Sequence, residues 1–191
     1  MSGGDFKGDI IDRFSGIGYN VDYEVLKASD YGLAQNRERV FFIGLLKKKY
    51  KDIFFKFPKK TNTKLSTKEA IGDLPFLDRD NINTDYRFAP KNKYQRLMRK
   101  NIKTKKPMNH DYTNHTDQTI STISMVPDGG SIKDLPEKYY KIRNYNTAFK
   151  RMDSKEPSIT IDCGHRNYFH YSQNRVPTVR EVARIQSFSD D

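Results

Sequence analysis

The chain has 191 residues with 35 Lys or Arg against 24 Asp or Glu, which gives a formal net charge of +11. No apolar run is long enough for a membrane span, and the single cysteine excludes an internal disulfide framework. One cysteine and four scattered histidines argue against a structural zinc site, and residues 1–5 lack signal-peptide features. We therefore expect an intracellular basic protein, whose charge serves either a polyanionic partner or solubility.

The first 46 residues have the pattern helix, strand, loop, strand. Phe6, Ile10 and Phe14 recur at helical spacing, and residues 21–26 alternate as in a strand. Residues 40–46 form a continuous apolar run, which predicts a strand buried on both faces. A sheet of two strands would leave those faces exposed, so we expect the chain to be part of something larger.

After residue 46 the chain becomes strongly basic. Ser66 and Glu69 fit a capping box, which predicts a short helix that stops near Leu74. Residues 86–110 contain no acidic residue, and Tyr94 with Met98 predicts a short amphipathic helix there. The segment holds nine cations: Arg87, Lys91, Lys93, Arg96, Arg99, Lys100, Lys103, Lys105 and Lys106. These side chains either contact phosphates or form a solvated face.

The last third contains short predicted strands and one helix. Residues 128–130 predict a turn, and residues 149–152 and 158–162 predict two strands. Thr178 and Glu181 form a second capping box, which predicts that the final helix begins there. His110 and His115 have no nucleophile or carboxylate that the sequence places beside them, so we interpret both as structural.

Gln35, Arg37 and Arg39 lie in a loop directly before the apolar run. Two arginines one residue apart suit adjacent anionic or carbonyl acceptors, because guanidinium is a rigid fork of donors. Spacing alone still favours a solvated surface turn.

Two longer stretches carry a resemblance. Residues 23–44 read YEVLKASDYGLAQNRERVFFIG and resemble the eighth motif block of the cytosine-5 DNA methyltransferases. Residues 175–188 read RVPTVREVARIQSF and resemble the ninth block, with Ser189 where the family usually has proline. The interval between the blocks corresponds to the family's target recognition domain.

The resemblance implies roles for the matched residues. Gln35, Arg37 and Arg39 fall on the family's Gln-x-Arg-x-Arg loop, which lines the pocket for a flipped cytosine. Arg39 would hold the exocyclic oxygen of the base and stabilise developing negative charge, and Arg37 would hold a neighbouring phosphate. Four ninth-block residues would organise the packing of the recognition domain: Arg180, Glu181, Arg184 and Gln186.

The resemblance also predicts what the chain lacks. The family nucleophile is the cysteine of a Pro-Cys pair, but Cys163 lies between Asp162 and Gly164. The family's Glu-Asn-Val and final Gly-Asn blocks are absent. We therefore expect a C-terminal fragment that is inactive alone, whose partners are double-stranded DNA and the missing N-terminal catalytic half.

Residues 14–18 resemble the family's Phe-x-Gly-x-Gly loop for S-adenosylmethionine. No buried strand precedes them, so we favour an ordinary helix-to-strand connection. We expect no cofactor or metal on this chain and assign S-adenosylmethionine to the parent enzyme.

The expected fold class is α/β, or α+β overall. Residues 1–46 would be a small C-terminal piece of a Rossmann-like methyltransferase sheet. Residues 47–174 would be an irregular mixed target recognition domain, and residues 175–191 the ninth-block helix.

The best candidates for reading DNA bases follow the second predicted strand. Arginine pairs with guanine and asparagine with adenine, so we select His165, Arg166 and Asn167. Lys150 and Arg151 are second-rank candidates for contacts. Tyr168 and Phe169 are interpreted as core.

The leading hypothesis is the target-recognition portion of a bacterial, cytoplasmic restriction-modification methyltransferase. Two alternatives stay open, namely the small subunit of a split methyltransferase and a stand-alone DNA-binding module. The unpaired faces of residues 40–46 argue against the module.

Overall fold

The computed structural model describes residues 5–61, 63–82, 84–140, 149–162 and 167–191. The chain divides into two units, of which the first comprises Met1–Lys27 and Glu38–Thr61. The second comprises Ala28–Arg37 and Asn62–Asp191. Within the described ranges, no helix has the length and apolar character needed to cross a membrane.

The first unit is a helix and an antiparallel strand pair. Helix α1 spans Phe6–Gly16, strand β1 spans Tyr19–Lys27, strand β2 spans Glu38–Leu46, and helix α2 spans Lys47–Tyr50. The register places Tyr19 opposite Leu46 at one end and Lys27 opposite Glu38 at the other. The helix and strands predicted for this segment are confirmed, and residues 14–18 are the end of α1 and its turn into β1.

Strand β2 differs from the prediction in its burial. A strand buried on both faces was expected, but Val40 is 52% exposed and Phe41 is 45% exposed. Strand β2 pairs only with β1 within the described chain, and a sheet of two strands has no layer to cover its faces. Tyr23 and Phe42 stack across the pair with ring centroids 5.8 Å apart.

The second unit contains the remaining elements. Its helices are α3 Thr67–Ile71, α4 Lys93–Met98, α5 Asp117–Ser124, α6 Glu137–Tyr140 and α7 Val179–Ile185, with 3-10 turns at Ala28–Tyr31 and Ile132–Asp134. Strands β3 Lys150–Arg151 and β4 Tyr168–Phe169 pair in parallel. Both predicted capping boxes, at the starts of α3 and α7, are confirmed.

The second strand of this small sheet is not the predicted one. Residues 158–162 were expected to form a strand, but only Ser158 makes an isolated bridge, to Gln35. The Ser158 amide donates to Ala34 O over 2.8 Å, and its carbonyl accepts from the Asn36 amide over 2.7 Å. The segment is therefore paired with the loop before β2, and β4 takes the place beside β3.

One buried cluster ties distant parts of the second unit together. It contains Ala34, Ala70, Ile71, Leu74, Met152, Ile161, Tyr168, Tyr171 and Ile185. Ala34 belongs to the eighth-block segment and Ile185 to the ninth-block helix. The two segments that carry the family resemblance thus share one core.

Arg184 in α7 is fully buried and lies between two buried carboxylates. Its Nε and Nη2 donate to the two oxygens of Asp190 over 2.7 and 2.5 Å, and its Nη1 donates to Asp73 Oδ1 over 2.8 Å. Nη1 also donates to Ala70 O over 2.9 Å, at the end of α3. Burial alone would lower the pKa of Arg184, but the hydrogen bonds to Asp190 and Asp73 outweigh it and raise that pKa.

A second arginine extends this network into the basic segment. Arg99 Nη1 donates to Asp73 Oδ2 over 3.0 Å and to Phe88 O over 2.7 Å. Its guanidinium lies 3.8 Å from the centroid of the Tyr86 ring, and the Tyr86 hydroxyl donates to Asp190 Oδ2 over 2.7 Å. Burial and that hydrogen bond raise the pKa of Tyr86. Arg99 is therefore a structural cation rather than a solvated one.

We expect Arg184→Ala to lower the free energy of unfolding by about 3–5 kcal/mol, because it leaves two buried carboxylates without their main partner. Urea denaturation followed by circular dichroism measures the change. Arg96→Ala, on the exposed face of α4, is the control and should cost less than about 0.5 kcal/mol. Equal losses in the two variants would contradict the role assigned to Arg184.

Candidate functional site

The loop before β2 is fixed by bonds to residues more than a hundred positions away. Asn36 Nδ2 donates to Pro157 O over 3.2 Å, its Oδ1 accepts from Ser29 Oγ over 2.9 Å, and its carbonyl accepts from Thr160 Oγ1 over 3.0 Å. Together with the backbone pairing to Ser158, these bonds hold the loop. Sequence reasoning missed Asn36, although an asparagine between two motif residues is well suited to bond several backbone groups.

Gln35 is 2% exposed, and its Nε2 has no hydrogen-bond partner in the described part of the chain. A buried donor left unpaired costs roughly 1–3 kcal/mol, so such groups require an explanation.

Arg37 and Arg39 have different settings. Arg37 belongs to the second unit, is partly exposed, and donates from Nη1 to Ile161 O over 3.0 Å. Arg39 belongs to the first unit, is exposed, and donates to Glu38 O over 2.7 Å. Neither guanidinium is paired with a carboxylate among the described residues, so both retain donors for an anionic or carbonyl ligand.

The candidate base-reading residues lie at the edge of what is described. His165 and Arg166, like Cys163, are outside the described residues. Asn167 is partly exposed, and its carbonyl accepts from the Lys150 amide over 3.0 Å. The Lys150 side chain is exposed, which is compatible with a phosphate contact.

Tyr168, which follows residues 163–166, is bonded to the segment that precedes them. Its hydroxyl lies 3.0 Å from Thr160 O and 2.8 Å from Asp162 Oδ1. Burial and the Asp162 hydrogen bond raise the pKa of Tyr168 to about 12. The prediction that Tyr168 and Phe169 are core residues is confirmed, since both are buried.

Arg151 has a structural position that the sequence did not indicate. It is a candidate DNA contact by sequence, but it is 6% exposed and its guanidinium donates to four backbone carbonyls and one side-chain amide oxygen. The acceptors are Val126 O, His170 O, Gln173 O, Ile123 O and Asn174 Oδ1. With all its donors occupied inside the unit, Arg151 has none left for DNA, and we correct its role to holding these chain segments together.

The start of the ninth block is a buried polar cluster. Arg175 donates to both oxygens of Glu181 over 2.8 and 2.7 Å, and the Thr178 amide donates to Glu181 Oε2 over 2.7 Å. Burial would raise the pKa of Glu181, but the charge of Arg175 and its two hydrogen bonds to the carboxylate outweigh burial and lower that pKa to about 2. The prediction that ninth-block residues organise packing is confirmed for Arg180, Glu181 and Arg184, which are buried.

Two buried histidines near this cluster, His170 and His110, serve structure. His170 Nδ1 accepts from the amides of Ser172 and Gln173 over 3.1 and 3.0 Å, so its neutral form is favoured. Burial lowers the pKa of His170 to about 3. His110 is buried with its ring nitrogens 2.8 Å from Thr178 Oγ1 and 2.9 Å from Pro75 O, as its structural interpretation predicted.

A cavity of about 430 Å³ opens where these features meet, lined by Asp111, Tyr112, Ile161, Asp162 and Tyr168 among others. Among the described residues, no group of three or more His, Cys, Asp or Glu side chains could hold a metal ion. The lining offers hydrogen-bond acceptors and apolar surface rather than a nucleophile with a base.

Comparison with known proteins identifies a matching family and several relatives. The family model "C-5 cytosine-specific DNA methylase" matches residues 3–191. The chain is 34% identical over 189 residues to the type II methyltransferase M1.HphI of Haemophilus parahaemolyticus, covering 98% of this chain and 44% of that protein. It is 34% identical over 197 residues to M.DdeI of Desulfomicrobium norvegicum, covering 95% and 47%. The chain thus spans about half the length of these curated relatives.

A solved structure shares the fold. It is described as a DNA modification methyltransferase encoded within a prophage of E. coli, and it superposes with a TM-score of 0.73 at 22% identity. The match covers 96% of this chain and 54% of that chain. The expected mixed class, α/β or α+β overall, is confirmed.

Gln35→Met is expected to raise the free energy of unfolding by about 1 kcal/mol, because it removes a buried unpaired donor while keeping the side-chain length. Chemical denaturation measures the gain. Gln35→Glu, which buries a charge at the same place, should lower stability and serves as the contrast. A loss of stability in Gln35→Met would show that the amide is satisfied in solution.

The low pKa of His170 makes stability depend on pH. Since the folded state favours the neutral ring, stability is lost as the pH falls below the ordinary value of 6.5 towards about 3. The slope for this group is about 1.4 kcal/mol per pH unit. His170→Asn keeps a hydrogen-bond acceptor without titrating, so its unfolding free energy should fall less steeply between about pH 6.5 and 4.5. Parallel pH profiles for the variant and the wild type would refute this assignment.

Proposed function

Because the chain belongs to the C-5 cytosine-specific DNA methylase family, we propose that it is the target-recognition and base-pocket portion of a DNA cytosine-5 methyltransferase. The parent enzyme would methylate carbon 5 of a flipped cytosine in bacterial restriction-modification, in the cytoplasm. The relatives named above are type II methyltransferases, which supports this assignment.

The observation that carries the proposal is the shared core of the two motif blocks. Ala34, beside Gln35, and Ile185, in the ninth-block helix, lie in one buried cluster with Ile161 and Tyr168. The same cluster therefore positions the proposed base-pocket loop and the residues that flank 163–166. A target-recognition unit requires this arrangement, because the base that is flipped and the bases that are read lie on one duplex.

In the proposal, Gln35, Arg37 and Arg39 support the reaction without carrying out its covalent step. The partly exposed Arg37 guanidinium would hold a phosphate beside the extruded nucleotide, since the emptied backbone position needs a cation. The Arg39 guanidinium would donate to the exocyclic oxygen of the cytosine and stabilise charge that develops on the ring. The unpaired amide of Gln35 would gain its acceptor when the pocket is complete.

S-adenosylmethionine supplies the methyl group in the parent enzyme when it is bound. Residues 14–18 do not fit the family's loop for it, because residues 14–16 end α1 and the amides of Ile17 and Gly18 already donate to Arg13 O and Ser15 O. The single cysteine, Cys163, does not follow a proline. We therefore assign the cofactor and the nucleophile to a catalytic half outside this chain, on the same or a separate polypeptide.

The residues proposed to meet DNA are Arg37, Lys150 and Asn167, together with His165 and Arg166. The excess of 35 basic over 24 acidic residues supports a polyanionic partner. Phosphate contacts by Arg37 and Lys150 would position the duplex, and contacts by His165, Arg166 and Asn167 would read base edges.

Duplex binding and methyl transfer, measured on the same preparation, test the proposal. We expect affinity for duplex DNA to fall steeply with salt, and no methyl transfer from S-adenosylmethionine by this chain alone. Methyl transfer is expected when the chain is co-expressed with a family segment that carries the Pro-Cys pair. Arg37→Gln should weaken duplex binding about tenfold, whereas Lys59→Gln, an exposed cation in the first unit, should change it little.

Two results would contradict the proposal. Methyl transfer by the chain alone that is lost in Cys163→Ser would make this chain the catalytic part. No duplex binding by the wild-type chain at low salt would remove DNA recognition from it.

A further inference from the structure

A groove of about 520 Å³ opens in the second unit between α3, α4 and the segment that joins them. Three exposed cations line it, namely Lys68 of α3 and, from the basic segment, Arg87 and Lys91. We call it the Arg87 groove.

The Arg87 side chain is held in place by aromatic rings. Its guanidinium carbon lies 3.7 Å from the centroid of Phe76 and 4.9 Å from that of Phe88, and Lys91 Nζ lies 3.9 Å from the Phe88 centroid. Both phenylalanines are 39% exposed, so the rings form part of the open surface. A guanidinium stacked on a ring keeps its N–H edge free and loses little entropy when it binds an anion.

The three cations of the groove outnumber its carboxylates, so the groove keeps a net positive charge. In the described part of the chain, no carboxylate lies within ion-pair distance of Lys68, Arg87 or Lys91, whereas Arg99 in the same basic segment is paired with Asp73. Glu69 also lines the groove, but its Oε2 accepts from the Ser66 amide over 2.9 Å as half of the α3 capping box. The groove is therefore a concave cationic surface with aromatic walls.

We propose that the Arg87 groove binds the sugar–phosphate backbone of duplex DNA. Charge complementarity selects a polyanion, the planar guanidinium matches two phosphate oxygens, and the half-exposed rings match the apolar faces of deoxyribose. The inference rests on the proposed function and adds to it a phosphate contact that no motif residue supplies. Contacts of this kind set the position of the duplex without reading its sequence.

Two matched double variants test the inference. Arg87→Gln/Lys91→Gln removes two groove cations, and Lys103→Gln/Lys105→Gln removes two exposed cations of the same basic segment outside the groove. The first pair should weaken binding to a random-sequence duplex about tenfold or more, and should reduce the slope of log K against log salt by about 2. The second pair should leave that slope nearly unchanged.

A further variant separates stacking from charge. Phe88→Leu keeps every charge and removes the ring beneath Lys91 and beside Arg87, and it should weaken duplex binding by about threefold. The melting temperature of each variant is compared with that of the wild type. Since the substituted side chains are exposed, we expect unchanged melting temperatures.

The outcomes separate the two proposals. If the wild type binds duplex DNA but both double variants lose affinity equally, the groove is refuted and the proposed function stands. If the wild type does not bind duplex DNA, both fail. If a poly-glutamate peptide binds as tightly as the duplex and that binding is lost in Arg87→Gln/Lys91→Gln, the groove accepts an acidic protein and the commitment to DNA is overturned.

Discussion

The second unit depends on one charged side chain that is buried away from water. Arg184 is completely buried, and only the carboxylates of Asp73 and Asp190 make that position tolerable. A buried ion pair adds little net stability over apolar packing, but removing one member is costly. The network therefore fixes an arrangement: it joins α7 to the end of α3, holds residue 190 in place, and reaches the basic segment through Arg99.

The proposed base-pocket loop is positioned from far along the chain. Asn36 bonds to Pro157, Ser158 and Thr160, and Arg37 bonds to Ile161, so the loop takes its shape from the segment before residues 163–166. Local bonds also contribute, since the Ser29 hydroxyl donates to Asn36 Oδ1 and the Ala28 amide donates to Arg37 O. A change in the 157–161 segment is transmitted to the loop through these bonds.

The sequence predicted the parts of the structure that local chemistry controls. The capping boxes at Ser66 and Thr178 predicted α3 and α7, and the alternation of residues 21–26 predicted β1, because each of these signals lies within a few residues of sequence. Local signals could not show that residues 158–162 pair with a loop instead of a strand. The same limit applies to Arg151, since a guanidinium with carbonyl acceptors from several segments has the same local pattern as one in solvent. The family motifs selected Gln35 and Arg37, but no motif selected the Arg87 groove, whose cations converge only in the folded chain.

The flanks of residues 163–166 are held by bonds to other parts of the second unit. Tyr168 ties Asp162 on one side, and the Asn167 carbonyl is tied to the Lys150 amide on the other. These anchors use a buried tyrosine and backbone atoms, so the positions of both flanks are set by the second unit. Under the proposed function, the same anchors would hold the ends of the interval in any relative that keeps them, and a change of target sequence would need substitutions only between two fixed ends.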